Sequence, residues 1–200
     1  MLLKKILFKF ITLCPFNSVR MFIYKKIFHY SIGTNVFIGR SIINAKKVNI
    51  GANVRIVHHT SISCNQLDIG EGTSILSGTV IQGDGSFTIG KNSRIINDHY
   101  IDLGNDVIIG NNTWLAGKRS QIWTHGSLHT KTGKKDLRVI IGDDIYIGSN
   151  TLIAPGVHIA NLNLIGMGSV ITKSIETSRN VIAGNPATVV KQDIDWRENW

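Results

Sequence analysis

The 200-residue sequence has little of what usually cross-links a fold or carries a chain into a membrane. It holds two cysteines, Cys14 and Cys64, far apart in the chain, so no disulfide framework is indicated and a reducing compartment is expected. Lys9 interrupts the apolar start, so no run reaches the roughly 18 apolar residues that span a bilayer. A signal peptide finds little support, because no small-residue cleavage site follows. Three prolines against 20 glycines suit a tightly wound chain of one ordinary domain.

Acidic residues are absent from residues 1–30, which carry a charge of +6 among large apolar side chains. Pro15 divides this segment, and two short helices are expected. One interpretation is a helical cap that covers an open strand edge at the start of the fold. A compatible interpretation is a basic, apolar surface that rests on an anionic membrane. A second basic stretch at 117–138 carries +5, but no nucleic-acid motif or aromatic platform accompanies it, so nucleic acid is not an expected partner.

The clearest pattern in the sequence is an isoleucine at every sixth position, followed by a small residue. The uninterrupted series consists of Ile141, Ile147, Ile153, Ile159, Ile165 and Ile171. A helix repeats near 3.6 residues and a flat strand near 2, so neither alone explains a period of six. A chain that turns a corner every six residues does explain it, and hexapeptide repeats are typical of a parallel β-helix. An ordinary β-sandwich is therefore disfavoured.

The same period runs upstream from Ile32 with slips. If three hexads close one triangular turn, each coil uses about 18 residues. The repeat zone 32–172, without the interruption at 117–138, then predicts six to seven coils. The interruption is the expected place for chemistry, because loops held by rigid frames carry functional sites. It contains Trp123, His125 and His129.

Three segments resemble the hexapeptide-repeat acyltransferases, especially acetyltransferases of sugars and bacterial surface polysaccharides. They are IIGDDIYIGSNTLIAPGVHI (140–159), LIGMGSVITKSI (164–175) and VIAGNPATVVK (181–191). The resemblance implies an all-β, left-handed parallel β-helix at 32–175 with a protruding loop at 117–138. A helical basic and apolar segment at 1–31 precedes it, and an exit segment and tail at 176–200 follows. It also implies a homotrimer with acetyl-CoA, the acyl donor, in the groove between neighbouring prisms.

In that family a histidine at the protruding loop is the general base, and the matching residue is His125 in QIWTHGSLH. A neutral imidazole, with an ordinary pKa near 6.5, accepts the proton of a hydroxyl, and the oxygen then attacks the thioester directly. His129 is the rival base or a substrate contact. Asn97 matches a substrate-binding asparagine, with Asp98 and His99 as neighbouring alternatives. Trp123 either stacks on a sugar or packs the base of the loop.

The resemblance also implies a set of residues that contact coenzyme A. Ser149 and Met167 match positions along the pantetheine arm, and Lys191 matches a basic residue that pairs with phosphate. The remaining members are Thr172 and Lys173 near the last coil and Pro186 and Ala187 in the GNPA turn. Thr188 stands where the family often has an arginine, so one phosphate contact of the family is absent from this sequence.

The sequence therefore predicts an acetyl-CoA-dependent O-acetyltransferase that modifies a sugar of a surface polysaccharide, glycolipid or their precursor. The alternatives are N-acetylation of a nucleotide-linked amino sugar, a non-catalytic β-helix scaffold, and a zinc carbonic anhydrase using histidines such as His58 and His59. Adjacent strand residues point to opposite faces, so this pair does not suit zinc, and no metal is expected. The expected location is cytoplasmic, with peripheral contact to the inner face of the membrane.

Overall fold

A computed structural model of the protein describes residues 2–126 and 136–198. Two helices, α1 (Leu2–Leu13) and α2 (Asn17–Phe22), and a π-helical turn (Ile23–Ile27) precede the strands. Pro15 lies between the two helices, because its ring cannot continue a helix. The strands in the described ranges are β1 (Ser31–Ile32), β2 (Phe37–Ile38), β3 (Ile42–Ile50), β4 (Arg55–Ile56), β5 (Ser61–Ile69), β6 (Ser74–Ile75), β7 (Val80–Gly83), β8 (Phe87–Ile89), β9 (Arg94–Asn97), β10 (Tyr100–Leu103), β11 (Val107–Ile109), β12 (Trp114–Lys118), β13 (Gln121–Ile122), β14 (Val139–Ile141), β15 (Tyr146–Ile147), β16 (Leu152–Ile153), β17 (His158–Ile159), β18 (Leu164–Ile165), β19 (Val170–Ile171), β20 (Val181–Gly184) and β21 (Ala187–Lys191).

The strands stack in parallel into a prism with three faces. A nine-stranded sheet (β2, β4, β6, β9, β12, β15, β18, β20, β21) forms one face, which we call face 1. A twelve-stranded sheet forms the other two, because β3 and β5 bend around the edge between them. The first part of β5 pairs with β7 and its last part with β8. Face 2 contains the series β7, β10, β13, β16 and β19, together with the first part of β5. Face 3 contains the series β8, β11, β14 and β17, together with the last part of β5.

Each strand pairs with the strand one turn later, usually 18 to 20 residues along the chain. On face 1, Ile38 pairs with Ile56, Ile56 with Ile75 and Ile75 with Ile95. The prism has about eight turns, so the predicted six to seven is wrong. Two regular strands explain the difference: β13 lies inside the predicted interruption 117–138, and β20 lies inside the predicted exit segment. The regular coil therefore continues through Ile122, further than the repeat pattern indicated.

The sixth-residue isoleucines fill the interior of the prism. All six from Ile141 to Ile171 are at most 1% exposed. Full burial of one such side chain contributes about 1.5–3 kcal/mol relative to exposure. Small polar residues fill the inside of the edges, where Ser93 Oγ donates to Gly110 O at 2.8 Å and Thr113 Oγ1 donates to Gly142 O at 2.7 Å. These bonds tie each edge to the next coil.

The helical segment covers the open start of the prism. Residues 42–45 of β3 have no earlier strand beside them, and two tyrosine hydroxyls take that place. Tyr24 Oη donates to Ser41 O at 2.8 Å and accepts from Ile43 N at 3.1 Å. Tyr30 Oη is 3.1 Å from Ala45 O and accepts from Ala45 N at 3.3 Å. Burial raises the pKa of Tyr24, so its hydroxyl stays protonated and able to donate.

Removal of the Tyr24 hydroxyl should therefore destabilise the protein. Tyr24→Phe leaves a buried carbonyl and a buried N–H unpaired, and the free energy of unfolding should fall by about 1–3 kcal/mol. Chemical denaturation monitored by circular dichroism measures this. In the control Tyr100→Phe, the lost hydroxyl bonds only to the exposed Gln82 amide, and the change should stay within about 0.5 kcal/mol. Equal stability of the two variants would contradict a capping role for Tyr24.

Candidate active site

The edge between faces 2 and 3, which we call the His125 edge, brings together a histidine and a buried carboxylate. Ile101 and Ile122 are paired on neighbouring coils, and their chains continue side by side onto this edge. Asp102 follows Ile101 directly, and His125 lies three residues after Ile122. The Nδ1 atom of His125 is 2.7 Å from Oδ2 of Asp102. The two side chains meet although 23 residues separate them in sequence.

Asp102 is held in an ionised form by a set of donors. Its side chain is 8% exposed, and Oδ2 accepts from Thr124 Oγ1 at 2.7 Å, Thr124 N at 3.1 Å and Gly104 N at 3.2 Å. Burial alone raises the pKa of Asp102, but the hydrogen bonds from Thr124 and His125 outweigh burial, and the net pKa lies below its ordinary value. The carboxylate is therefore negatively charged at neutral pH.

The ionised carboxylate fixes the role of each ring nitrogen of His125. A carboxylate only accepts hydrogen bonds, so Nδ1 must carry a proton and donate it to Asp102. In the neutral ring, Nε2 then keeps its lone pair. The His125 side chain is 59% exposed, whereas its carboxylate partner is buried. This arrangement leaves an oriented proton acceptor at the surface of the prism.

Gly104 provides the space in which the pair forms. A Cβ at Gly104 would lie 3.0 Å from the Cβ of His125 and 3.3 Å from Oδ2 of Asp102. Asn105 fixes the neighbouring coil, because its Nδ2 donates to Thr124 O at 2.8 Å and its backbone N donates to Thr124 Oγ1 at 2.8 Å. The first residues of the excursion are thus fastened to the coil beneath.

Trp123 forms an aromatic group with its neighbours beside the base. Its ring centroid is 5.1 Å from that of Tyr100 and 5.7 Å from that of His125, which it meets edge to face. Its Nε1 donates to Gln121 Oε1 at 3.0 Å. The side chain is half-buried, so part of an indole surface remains accessible next to His125.

The other predicted acceptor contacts do not join His125 within one chain. Asn97 ends β9 on face 1, where it pairs with Lys118, and it lies on the edge between faces 1 and 2. Asp98 forms an ion pair with Lys118 at 3.6 Å. His99 is buried and accepts from Ser120 N at 3.1 Å, and burial lowers the pKa of His99, which favours the neutral imidazole. His129 lies outside the described residues.

The predicted coenzyme contacts divide between two edges. Ser149 and Met167 lie on neighbouring coils of the edge between faces 1 and 2, where Gly168 N donates to Ser149 O at 2.9 Å. Thr172 and Lys173 are exposed on the His125 edge, since Ile122, Ile153 and Ile171 pair in series on face 2.

The last predicted coenzyme contacts lie in the terminal hairpin. Pro186 and Ala187 are at the turn between β20 and β21, and the exposed Lys191 ends β21 opposite Val181.

Asp102 is a candidate site residue that the sequence did not reveal. Its tetrapeptide, Ile-Asp-Leu-Gly, looks like another repeat, and the carboxylate meets His125 only when the coil register is known. The sequence does contain one signal for it. Asp102 directly follows a repeat isoleucine one coil before the loop histidine, at a position where other repeats carry neutral residues such as Thr172 and Ala154.

Comparison with known proteins shows that the chain is similar to acetyltransferases. No protein-family model matches the chain. The chain is 31% identical to the galactoside O-acetyltransferase of Escherichia coli (strain K12) over 107 aligned residues. The alignment covers 54% of this chain and 51% of that protein. The chain thus spans about half the length of the curated relatives that it matches.

Solved structures extend the similarity over most of the chain. The polysialic acid O-acetyltransferase OatWY is 26% identical, with a TM-score of 0.55 over 84% of this chain and 86% of that chain. The hexapeptide-repeat acetyltransferase VCA0836 of Vibrio cholerae shares the fold, with 16% identity and a TM-score of 0.51 over 94% and 88% of the two chains. The predicted left-handed parallel β-helix is confirmed. The chain is thus similar in sequence to sugar O-acetyltransferases and in fold to hexapeptide-repeat acetyltransferases.

Proposed function

We propose that the protein is an acetyl-CoA-dependent O-acetyltransferase that acts on a sugar hydroxyl of a surface polysaccharide, a glycolipid or their precursor. The observation that carries the proposal is the 2.7 Å contact between exposed His125 and buried, ionised Asp102. A non-catalytic scaffold has no use for a carboxylate with four donors that orients an exposed imidazole.

The geometry supports direct transfer of the acetyl group. Nε2 of His125 takes the proton from the acceptor hydroxyl as its oxygen attacks the thioester carbonyl. The C–S bond then breaks, the new ester forms, and the proton on Nε2 passes to the departing thiolate. Asp102 stabilises the imidazolium that exists between these steps, so no covalent intermediate on the protein is required.

A sugar acceptor is supported by the surroundings of His125 and by the relatives. Trp123 offers an aromatic surface beside the base, and such surfaces pack against the apolar faces of sugar rings. The similar proteins are named for a galactoside and for polysialic acid. An amino sugar with a free amine remains the alternative acceptor, because the same base serves both reactions.

The division of the predicted contacts between two edges supports a homotrimer. In a single prism, Ser149 and Lys173 lie on opposite edges of face 2. When prisms associate around a threefold axis, the Ser149 edge of one copy meets the His125 edge of the next. Each groove between two copies then contains a complete set, including Asn97 from one copy and His125 from the other.

Product analysis tests the proposed reaction. The protein is incubated with acetyl-CoA and a panel of sugars that carry free hydroxyls or free amines, and the products are identified by mass spectrometry and NMR. An O-acetylated sugar supports the proposal. Acetylation of amines alone would establish the N-acetyltransferase alternative, and absence of any acetylated product across the panel would count against a sugar acetyltransferase.

Loss of His125 should remove catalysis but leave the fold intact. His125→Ala should lower kcat by roughly 10²–10⁴-fold, because no other base is positioned there among the described residues. The control His158→Ala removes another half-exposed histidine, which also pairs with a carboxylate (Glu176, 3.3 Å), and should keep normal kcat. A folded His125→Ala protein with near-normal kcat would contradict the assignment.

Asp102 should act through the orientation of His125. Asp102→Asn keeps the size of the side chain but removes its charge, so kcat should fall roughly 10- to 10²-fold while KM for acetyl-CoA stays nearly constant. In wild-type protein, ¹⁵N NMR should show the proton of the neutral His125 ring on Nδ1, and the variant should lose this preference. Asp68→Asn, which removes the charge of a half-buried carboxylate that accepts from Asn49 and Gln66, is the control for general destabilisation. An unchanged tautomer in Asp102→Asn would contradict the positioning role.

Lys173 and Lys191 should bind the donor and not the acceptor. Each ammonium is exposed and available to a phosphate of coenzyme A. Lys173→Ala or Lys191→Ala should raise KM for acetyl-CoA about tenfold and leave KM for the acceptor nearly unchanged. Lys91→Ala removes an exposed lysine elsewhere on the prism and should change neither constant. A rise confined to the KM of the acceptor would move these lysines to the other subsite.

A further inference from the structure

Helix α1 carries two apolar stripes, of which only one packs on the prism. Phe8 and Ile11 pack against the core of the protein. Leu3, Ile6, Phe10 and Leu13 recur at intervals of three and four residues on another face of the helix and are each 49–69% exposed. We call these four residues the α1 stripe. Four large apolar side chains in line on one helix exceed the scattered apolar exposure of an ordinary surface.

The charge around the α1 stripe has one sign. Residues 1–67 contain ten Lys and Arg and no acidic residue, so the other residues together carry −1 of the net charge of +9. Lys4, Lys5 and Lys9 are exposed on the same helix, and Lys25 and Lys26 are exposed on the π-helical turn that follows. The end of the prism at which the chain starts is therefore both apolar and strongly basic.

We propose that α1 binds the surface of an anionic membrane, with the α1 stripe in the lipid interface and the lysines at the level of the headgroups. Apolar area and lysine-to-lipid attraction together determine such binding. In the described part of the chain, no helix is long and apolar enough to cross a bilayer. The 12 residues of α1 span about 18 Å, which suits a helix that lies in the plane of the interface.

The charge pattern favours lipid over a second copy of this chain. A symmetric contact between two α1 stripes would bring Lys4, Lys5 and Lys9 of one copy against the same residues of the other. Because α1 itself carries no acidic residue to balance them, like charges in such a contact repel. Anionic headgroups supply the missing negative charge.

The His125 edge joins this end of the prism to the active site. Lys4, Lys46 and Asp84 line a cavity of about 530 Å³ on that edge. Asp84 also lines the next cavity, of about 490 Å³, which extends to Gly104 beside His125. Four coil steps separate Ala45 from Thr124, or roughly 19 Å at the usual strand spacing. If the proposed function holds, a docked protein would reach a glycan that is anchored in the same membrane.

Vesicle co-sedimentation of the full chain, without acetyl-CoA or acceptor, tests the proposal. The protein should pellet with vesicles of phosphatidylcholine and phosphatidylglycerol at low salt, and the bound fraction should fall as salt screens the charges. It should stay in the supernatant with phosphatidylcholine alone. Failure to bind anionic vesicles at low salt, or equal binding to both compositions, would overturn the proposal. Because this assay does not measure acetyl transfer, its outcome is separate from that of the proposed function.

Two pairs of substitutions identify the surface responsible. The first double variant, Ile6→Glu with Phe10→Glu, should reduce vesicle affinity at least tenfold. The second, Lys5→Ala with Lys9→Ala, should reduce it about fivefold for each lysine removed. All four side chains are exposed, so folding should persist and is checked by thermal unfolding. The control Val189→Glu with Val190→Glu adds the same charge at two exposed apolar residues of β21 and should bind normally.

The same variants decide between lipid and self-association. Sedimentation equilibrium should give the same oligomeric state for the wild-type protein and for the double variant Ile6→Glu with Phe10→Glu. If that variant changes oligomeric state and still binds vesicles, the α1 stripe is an interface between copies and the proposal is wrong.

Discussion

The structure depends on the backbone hydrogen bonds that join each coil to the next. Every strand donates and accepts along the prism axis, so a coil that slipped by one residue would turn its isoleucine outward. The bonds hold even across the long excursion, where Gly110 N donates to Ile141 O at 2.8 Å although the two residues are 31 positions apart. The coil after the excursion resumes the register of the coil before it. The excursion therefore interrupts the chain without changing the register of the coils around it.

This register also creates the candidate catalytic pair. Asp102 and His125 belong to different coils, and their 2.7 Å contact exists because Ile101 lies beneath Ile122. Thr124 is still tied to the lower coil by Asn105 and Asp102, so His125 is only one residue beyond a fixed point. A side chain at the start of an excursion is thus positioned as precisely as one on the strands, while its ring stays exposed at the prism surface.

The fold was predictable from sequence to a large extent, and the site only in part. A period of six identifies the coil because every core position obeys the same geometry, and His125 stood out because it lies where the period breaks. Asp102 did not stand out, because it occupies a repeat position and its role depends on a partner 23 residues away. The structure also places the start of the excursion later than the sequence pattern did. Ile122 is buried in line with the repeat isoleucines, but Trp123 and His125, which follow it, do not resemble the repeat.

The first and last coils of the prism are covered by different structures, so the two ends of the His125 edge have different surroundings. At the start, Tyr24 and Tyr30 satisfy the open backbone of β3 and bring with them the basic, apolar helices. At the other end, β21 folds back antiparallel on β20 and carries the exposed Lys191. Thr172 and Lys173 lie on the coils between His125 and that end. In the proposed reaction the donor therefore approaches His125 from the later coils. The edge on the earlier coils is then left for the acceptor, so the order of the coils separates the two substrates.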